Sequence, residues 1–201
     1  MSAAVYCALV HHPVRNREGA SITSAITNVD VHDIARSSRT YRLAGYFVVS
    51  PIAAQRLLVD RILDHWRTGA GARRVPDRTE ALSRCHPVES IEAALAMIEA
   101  ERGERAEMVV TEARPELATR ALGWGAMRSR LATTTRPTLI LFGTAHGLHP
   151  DVLSRADVVL EPIEGAADYN HLSVRAAAAI TFDRLFRREA AETDVLRPPQ
   201  L

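Results

Sequence analysis

The sequence predicts an α/β protein with a mostly parallel sheet and helices on both faces. Short apolar runs, such as Val5–Val10 and Thr138–Phe142, alternate with longer amphipathic segments. Strands that alternate with helices in this way form parallel sheets whose two faces are both covered. The length of 201 residues, with 47% hydrophobic and 24% charged residues, suits one soluble globular domain. We therefore expect a single domain over residues 1–188, followed by a frayed tail over residues 189–201.

The first half of the chain is predicted to contain three strands, two helices and two long loops. The predicted strands are Val5–Val10, Tyr46–Val49 and Ala81–Cys85, the helices are Val31–Leu43 and Ile52–Trp66, and the loops are His11–Asn28 and Thr68–Asp77. Apolar residues recur at helical spacing in both helices, and Leu57 and Leu58 are expected on the buried face of the second one.

The second half continues the alternation. A helix opened by Pro87 is predicted over Val88–Glu101, with further helices over Arg114–Arg130 and Leu172–Arg188 and strands over Met108–Thr111, Thr138–Phe142 and Val158–Leu160. Ser173 is a predicted N-cap for the last helix. Ligands of open α/β sheets bind beyond the carboxyl ends of the strands. If the last three strands are neighbours, the loops Glu112–Pro115, Gly143–Pro150 and Glu161–His171 therefore converge on one site.

The composition excludes some classes of protein. The formal net charge is +1, and all 25 basic residues are arginines, so the composition permits nucleic-acid binding without indicating it. No apolar run approaches the roughly 18 residues that a membrane span requires. The N-terminus lacks the basic segment of a signal peptide, and Cys7 and Cys85 are too few for a disulfide framework. We therefore expect a cytoplasmic protein that does not bind membranes.

The stretch Leu139–Pro150, "LILFGTAHGLHP", predicts a buried strand that ends in a tight polar loop. It lacks the spacing and the lysine of a phosphate-binding P-loop, and it lies too late in the chain for a dinucleotide fingerprint. His146 and His149 could ligate a metal, but no cysteine or acidic pair completes a shell nearby, so we expect no metal. Taken alone, the loop fits a tight turn whose glycines supply positive φ angles.

The stretch Leu160–Ala179, "LEPIEGAADYNHLSVRAAAA", changes this interpretation. Polar residues precede Ser173, and the helix that follows opens with the small residues Ala176–Ala179. Helix N-termini offer backbone N–H groups to ligand oxygens. Two glycine-containing loops and this helix start predict a compact, backbone-lined pocket that suits a flat heterocycle better than a triphosphate.

Three motifs in order resemble those of the SPOUT RNA methyltransferases. Asn28–Tyr41, "NVDVHDIARSSRTY", resembles the first motif, "LILFGTAHGL" the second, and "PIEG…YNHLSVRAAAAI" the third. The N-terminal segment resembles most closely a bacterial subgroup of small stand-alone proteins, or domains fused to a tRNA guanine methyltransferase. The resemblance extends to about Arg188 and implies a deep trefoil knot in the C-terminal part.

The resemblance also implies that S-adenosylmethionine binds, bent, inside the knot. It implies that the cofactor-binding residues are Thr111, Leu141, Gly143, Thr144, Ile163, Gly165, His171, Leu172, Val174 and Ala177. Many members of the family carry an acid in the second motif, whereas Thr144-Ala145-His146 has none here. A homodimer is implied as well, because active sites of the family form between subunits.

Methyl transfer requires a positioned nucleophile and help in removing its proton. By resemblance, Arg36 is the expected catalytic residue, in the role of orienting a hydroxyl and stabilising developing charge. His32 shares a helix face with Arg36 and could act as the base near pH 7, or simply pack at the helix start. The candidate RNA contacts are Arg15, Arg17, Asn28 and Arg39.

The expected function is therefore S-adenosylmethionine-dependent methylation of tRNA or rRNA. Ribose 2′-O-methylation comes first, because the first motif resembles the ribose-modifying branch, and base N-methylation comes second. Two other classes stay open: a knotted RNA-binding module without catalysis, which the missing acid favours, and an unknotted doubly wound domain that binds another nucleotide.

Overall fold

A six-stranded parallel sheet forms the centre of the protein. A computed structural model describes residues 4–114, 121–166 and 170–187. The strands of the sheet are β1 (Val5–Val10), β4 (Gly45–Val49), β5 (Cys85–Val88), β6 (Glu107–Thr111), β7 (Thr138–Gly143) and β8 (Val158–Leu160). They lie in the order β5-β4-β1-β7-β6-β8, and every neighbouring pair is parallel. The predicted mostly parallel sheet is confirmed.

Helices cover both faces of this sheet. They are α1 (Asn28–Thr40), α2 (Ala53–Arg67), α3 (Ala70–Arg74), α4 (Pro76–Leu82), α5 (Ile91–Arg102), α6 (Trp124–Thr133), α7 (Pro150–Ser154) and α8 (Val174–Phe186). Side chains of α1, α2, α6 and α8 pack in one apolar core, and those of α5 and α7 pack in the other. β1 supplies both cores, because Cys7 and Leu9 point to the first and Ala8 and Val10 to the second.

Local capping fixes the starts of the longer helices. The side chain of Thr27 caps α1, that of Ser90 caps α5 and that of Ser173 caps α8, each by accepting a hydrogen bond from a backbone N–H of the first turn. The prediction that Ser173 begins the last helix is confirmed. α5 ends at Gly103, whose φ of 75° gives the left-handed C-cap that glycine adopts without strain.

The segment 68–101 differs from the prediction. Ala81 and Leu82 belong to helix α4 and not to a strand, and the strand begins only at Cys85. Pro87 lies inside β5 and does not open a helix; α5 begins after Ser90. A proline is tolerated in β5 because this strand is at the edge of the sheet, where its missing N–H leaves no partner unpaired.

Three other expectations need correction. The predicted loop over Thr68–Asp77 contains α3 and the start of α4. Of the helix predicted over Arg114–Arg130, residues 115–120 lie outside the described residues, Leu122 pairs with Leu160 as a β-bridge, and α6 begins at Trp124. In α2, Leu57 and Leu58 are 51% and 45% exposed, and the helix packs through Val59 and Leu63 instead.

Within the described residues, no helix is long and apolar enough to cross a membrane, and no group of three or more His, Cys, Asp and Glu side chains could hold a metal ion. Cys7 and Cys85 are buried free thiols, and burial raises the pKa of the Cys7 thiol to about 12. The predicted tail over residues 189–201 lies outside the described residues, and the single domain over residues 1–188 stays a prediction.

Candidate active site

A cavity of about 540 Å³ lies at the carboxyl ends of β6, β7 and β8. These three strands are neighbours in the order β7-β6-β8, so the loops that follow them converge as predicted. The cavity is lined by His11, Ser24, Ala25, Asp30, Thr111, Glu112, Ala113, Arg114, Trp124, Phe142, Gly143, Thr144, Ala145, His146, Gly147, Glu161, Ile163, Asn170, His171, Leu172, Ser173, Val174, Arg175, Ala177 and Thr181. Its volume falls in the range of roughly 300–1,000 Å³ that small-molecule sites occupy.

The loop after β7 turns back sharply on itself. A Cβ atom on Gly143 would lie 2.6 Å from the backbone nitrogen of Leu148, so no larger residue fits there. Gly147 has a φ of 94° and Ala145 a φ of 53°, both in the left-handed region. The predicted positive φ is found at Gly147 but not at Gly143, where glycine is required because the backbone of the same loop passes so close.

A small hairpin, β2 (Val14–Arg15) and β3 (Ser21–Ile22), holds this loop from outside. The backbone N–H of Arg15 donates to the carbonyl oxygen of Gly147 at 3.0 Å, and the N–H of His146 donates to the carbonyl oxygen of Arg15 at 3.1 Å. These two hydrogen bonds fix the loop after β7 against the hairpin. The His11–Asn28 segment, predicted as a plain loop, therefore contains a structural element of the site.

The side chain of Arg15 does not line the cavity but is buried against Glu112, which does. Its Nη2 donates to Oε2 of Glu112 at 2.8 Å, and the two side chains are only 6% and 3% exposed. Arg15 is therefore not placed for the direct RNA contact predicted for it, because its charge is committed to a buried carboxylate. The predicted RNA contact by Arg17 is compatible with its exposed position in the hairpin turn.

Glu112 brings an acid to the site that sequence reasoning missed. Its Oε1 accepts from the backbone N–H of Arg114 at 3.2 Å, and a Cβ atom on Gly147 would lie 3.4 Å from its Oε2. The carboxylate therefore lies against the second-motif loop although it comes from β6. Nothing in the local sequence distinguishes Glu112 from a surface residue, because its contacts depend on the pairing of distant strands.

His11, at the end of β1, also belongs to the cavity. Its Nδ1 lies 2.8 Å from the hydroxyl oxygen of Ser24, which lies 2.5 Å from that of Thr144. The Thr144 hydroxyl donates to the carbonyl oxygen of Val10 at 3.0 Å. Burial lowers the pKa of His11 to about 4, and the nearby Asp30 opposes that shift.

Helix α8 closes the cavity with its first turn. Val174 and Ala177 line the wall, and the guanidinium of Arg175 donates to Oδ1 of Asp30 at 3.1 Å. Asp30 is buried in the first turn of α1, so this pair ties the two helices together. Of the small residues Ala176–Ala179 predicted to let a ligand approach this helix, Ala177 lines the cavity.

Trp124 is a second residue that the sequence did not single out. Its backbone N–H donates to Oε1 of Glu161 at 2.7 Å, which links the start of α6 to the loop after β8. The guanidinium of Arg184 lies 5.0 Å from the centroid of its ring. The indole nitrogen Nε1 is buried and has no hydrogen-bond partner among the described residues.

Most of the predicted cofactor-binding residues meet at this cavity. Thr111, Gly143, Thr144, Ile163, His171, Leu172, Val174 and Ala177 all line it. Leu141 does not; it is fully buried in β7, where its carbonyl oxygen accepts from the hydroxyl of Thr111 at 3.0 Å. Gly165 is exposed and is not part of the wall. The second-motif and third-motif loops therefore line one cavity, as the resemblance implies.

The two predicted catalytic residues lie elsewhere on the same chain. Neither Arg36 nor His32 lines the cavity. The side chain of Arg36 is 59% exposed and 3.9 Å from Asp33. His32 packs edge-on against Trp66 at 5.7 Å between ring centroids. Its pKa is lowered, first by partial burial and then by Arg78.

The remaining predicted RNA contacts also lie outside the cavity wall. Asn28 is exposed at the start of α1. Arg39 forms an ion pair with Glu80 of α4, and both side chains are at the surface. Within one chain, the residues predicted to bind cofactor and those predicted to act on RNA therefore occupy different places.

The cavity has the features expected of the implied cofactor site. Within the described residues, buried polar atoms without a hydrogen-bond partner lie in its wall at His11 Nε2, Arg114 Nη2 and Trp124 Nε1. Such atoms are costly to leave unpaired, and a polar ligand satisfies them. The residues present therefore fit S-adenosylmethionine.

Solved structures place the fold in a known class. The SpoU methyltransferase AviRb from Streptomyces viridochromogenes, in complex with the cofactor AdoMet, has a TM-score of 0.54 at 17% sequence identity, over 93% of this chain and 58% of that one. An RNA 2′-O ribose methyltransferase has a TM-score of 0.53 at 18% identity, over 92% of this chain and 56% of that one. The fold is that of the SPOUT methyltransferases.

The family follows from the sequence comparisons. A family model described as "SAM-dependent RNA methyltransferase" matches residues 4–187. The chain belongs to this family, as the motifs predicted.

Two relatives are similar to this chain over most of its length. A tRNA (guanine-N(1)-)-methyltransferase from Oleidesulfovibrio alaskensis is 47% identical over 181 residues, which are 90% of this chain and 41% of that protein. An uncharacterised protein from Aquifex aeolicus is 39% identical over 188 residues, 94% of this chain and 91% of that protein. The chain therefore spans 41% of the length of the tRNA methyltransferase that it matches.

Proposed function

We propose that this protein transfers the methyl group of S-adenosylmethionine to a guanine base of tRNA. The observation that carries the proposal is the single cavity formed by the loops after β6, β7 and β8, with Gly143 held against the backbone of its own loop. The name of the Oleidesulfovibrio relative supports tRNA and guanine as the target. Because the chain spans 41% of that relative, the target is the part of the proposal that experiment must decide.

When bound, S-adenosylmethionine supplies an electrophilic methyl group on a sulfonium. The residues of the chain position the cofactor and the target base, neutralise charge and receive a proton. The first turn of α8 and the loops at Thr111 and Gly143 hold the cofactor. The carboxylates of Asp30 and Glu112 at the wall keep the site from becoming strongly positive beside Arg114 and Arg175. A site for a cationic donor needs this balance.

A second candidate is transfer to a ribose 2′-hydroxyl, which the sequence motifs favoured. The guanine base comes first here because the supporting relative is 47% identical, whereas the ribose-modifying structure is 18% identical and so supports the fold alone.

A knotted homodimer completes the proposal. Val29 at the start of α1 and Leu172 just before α8 are 52% and 46% exposed, and such apolar side chains suit burial against a second subunit. In that dimer, Arg36 and His32 of one subunit would act at the cavity of its partner, and Asn28, Arg17 and Arg39 would contact RNA. The return of α8 onto α1, where the Tyr41 hydroxyl donates to Asp183 at 3.0 Å, is consistent with a C-terminal trefoil knot. The predicted cytoplasmic location belongs to the same proposal.

The test is transfer of labelled methyl groups from S-adenosylmethionine to unmodified tRNA transcripts, followed by nucleoside analysis. We expect methylguanosine that is labelled on the base. Labelled 2′-O-methylnucleosides would establish the second candidate instead. The variant Arg36→Ala should abolish transfer, whereas Arg155→Ala should retain it, because Arg155 pairs with Glu92 on the opposite side of the sheet. Absence of transfer to tRNA and to rRNA by the wild-type protein would overturn the proposal.

A further inference from the structure

A chain of hydrogen bonds connects the backbone of β1 to the imidazole of His11. The chain runs from the Val10 carbonyl oxygen to the hydroxyl of Thr144 at 3.0 Å, on to the hydroxyl of Ser24 at 2.5 Å and on to Nδ1 of His11 at 2.8 Å. The backbone N–H of Ser24 also donates to the carbonyl oxygen of His11 at 2.9 Å. Three segments that are far apart in sequence therefore hold this ring in place.

The chain of bonds determines where the proton of His11 lies. The carbonyl oxygen of Val10 can only accept, so the hydroxyl of Thr144 donates its single proton there. The Ser24 hydroxyl must then donate to Thr144, which leaves its oxygen to accept from His11. Nδ1 of His11 therefore carries the proton, and Nε2 is left with a bare lone pair.

That lone pair has no partner within the described parts of the chain. His11 is 1% exposed and lines the cavity, and its Nε2 is shielded from water. A buried polar atom without a hydrogen-bond partner destabilises the folded protein. The side chain is neutral at pH 7, because burial lowers its pKa to about 4. The charged groups facing it are Asp30, which raises that pKa, and Arg175, which is paired with Asp30.

Among the residues that the structure describes, three other buried atoms without a hydrogen-bond partner lie in the wall of the same cavity. They are Nη2 of Arg114, Nε1 of Trp124 and the hydroxyl oxygen of Thr181. Arg114 and Trp124 can only donate hydrogen bonds, whereas Nε2 of His11 can only accept. A single cavity that presents both kinds of unpaired group suits a ligand that carries acceptors and at least one N–H or O–H donor.

We propose that Nε2 of His11 accepts a hydrogen bond from an N–H or O–H group of the ligand that fills this cavity. The proposal rests on the proposed function and identifies His11 as a binding residue. The donor is either the ammonium group of S-adenosylmethionine or the N–H or O–H of the RNA group that is methylated. A neutral imidazole is suited to both roles, because a second cation beside a sulfonium would be repelled.

Calorimetric titrations with three ligands separate these sources. S-adenosylmethionine and S-adenosylhomocysteine both carry the ammonium group, whereas 5′-methylthioadenosine lacks the amino-acid part. The test variant is His11→Asn. The asparagine amide can keep the hydrogen bond to the Ser24 hydroxyl, whereas the substitution removes Nε2. The matched control is His12→Asn, because the Nδ1 of His12 bonds Thr23 and the carbonyl oxygen of Ile22 and the ring lies outside the cavity wall.

If the ammonium is the donor, His11→Asn should bind S-adenosylmethionine and S-adenosylhomocysteine about tenfold more weakly, because one charge-assisted hydrogen bond is lost. Its affinity for 5′-methylthioadenosine should be unchanged. If the RNA group is the donor, all three affinities stay the same and kcat at saturating cofactor falls about tenfold. His12→Asn should match the wild type in both assays.

Two results separate a failure of this proposal from a failure of the proposed function. Wild-type affinities and wild-type kcat in His11→Asn, or equal losses in His12→Asn, would overturn the acceptor role alone. Absence of binding heat for S-adenosylmethionine with the wild-type protein would overturn the function and the acceptor role together.

Discussion

Gly143 is the residue at which the cavity is least tolerant of change. A Cβ atom there would meet the backbone of Leu148 at 2.6 Å and that of Gly147 at 2.9 Å. Backbone atoms cannot rotate away as a side chain can, so the loop itself must move. The contacts that define the cofactor wall at Thr144 and Gly147 would move with it.

We therefore expect Gly143→Ala to weaken binding of S-adenosylmethionine at least tenfold and to lower the free energy of unfolding by about 1–3 kcal/mol, the usual cost of overpacking. Calorimetry and urea denaturation measure the two effects. The matched control is Gly125→Ala. Gly125 is exposed in α6, and no atom lies within 4 Å of a Cβ added there. Gly125→Ala should therefore raise the free energy of unfolding by about 0.5 kcal/mol and leave the cofactor affinity unchanged. Equal behaviour of the two variants would contradict this account.

His11 should make the stability of the protein depend on pH. Its pKa is about 4 in the folded state and near 6.5 when unfolded, so in that interval only the unfolded chain takes up the proton. Stability is therefore unaffected above pH 6.5 and falls as the pH drops toward 4, by roughly 3 kcal/mol over the interval. Urea midpoints measured between pH 4 and 7 should fall less steeply for His11→Asn than for the wild type. Parallel curves would refute the assigned burial.

The sequence predicts the positions of the site residues better than their partners. Thr144, Val174 and Ala177 lie at the cavity as the motifs require. Glu112 and Trp124 were missed, because a buried carboxylate and a surface one have the same local sequence and only tertiary pairing separates them. The same reason explains Arg15, which has the sequence context of a solvated loop residue but is buried against Glu112.

At the scale of elements, the hairpin β2–β3 and the ends of β6 and β7 form one unit. Arg15 provides the link, because its backbone bonds the β7 loop and its side chain bonds Glu112 at the end of β6. A buried ion pair is weak evidence of net stabilisation, but removing one partner leaves an uncompensated charge. The position of Glu112 in the cavity wall therefore depends on its pairing with Arg15.

We expect Glu112→Gln to destabilise the protein by about 3 kcal/mol, since it leaves the buried guanidinium of Arg15 without its carboxylate. The matched control is Glu80→Gln, which removes the surface partner of Arg39 and should cost about 1 kcal/mol or less. Urea denaturation at pH 7 measures both. A loss in Glu112→Gln no larger than that in Glu80→Gln would show that the Arg15 charge is compensated in another way.

The elements that were predicted wrongly share a cause. The strand expected at Ala81–Cys85 and the exposed face of α2 lie where α2, α3 and α4 pack against one another and against α1. Apolar periodicity reports that a segment is partly buried, but not which neighbour buries it. The central strands were predicted well, because burial on both faces leaves them only one interpretation.

At the scale of the whole molecule, the cofactor cavity and Arg36 are separate within one chain. If a partner subunit supplies Arg36, a variant that lacks Arg36 and a variant that lacks a working cavity should rescue each other. We expect Arg36→Ala and Gly143→Val to be inactive alone. Refolded together in equal amounts, they should recover about a quarter of wild-type methyl transfer, because half of the two-fold symmetric dimers contain one intact site of two.

Each variant refolded with itself controls for recovery by refolding alone. Light scattering should give the mass of two chains for all samples. Absence of recovery in the mixed sample, with dimers present, would show that Arg36 acts within its own chain or not at all.

The position of β1 has a consequence for how the protein is made. This strand precedes the other strands of the sheet in sequence but lies in the middle of the sheet between β4 and β7, and β7 begins only at Thr138. Its partner β4 therefore leaves the ribosome well before its partner β7, and the cavity is complete only after α8 has been synthesised. Contacts between such distant residues slow folding, because the loops between them must close first. During translation, the edge of β1 that later pairs with β7 exposes unpaired backbone N–H and C=O groups to chaperones and to other nascent chains. The expression host can therefore decide the yield of folded protein independently of the stability of the finished fold.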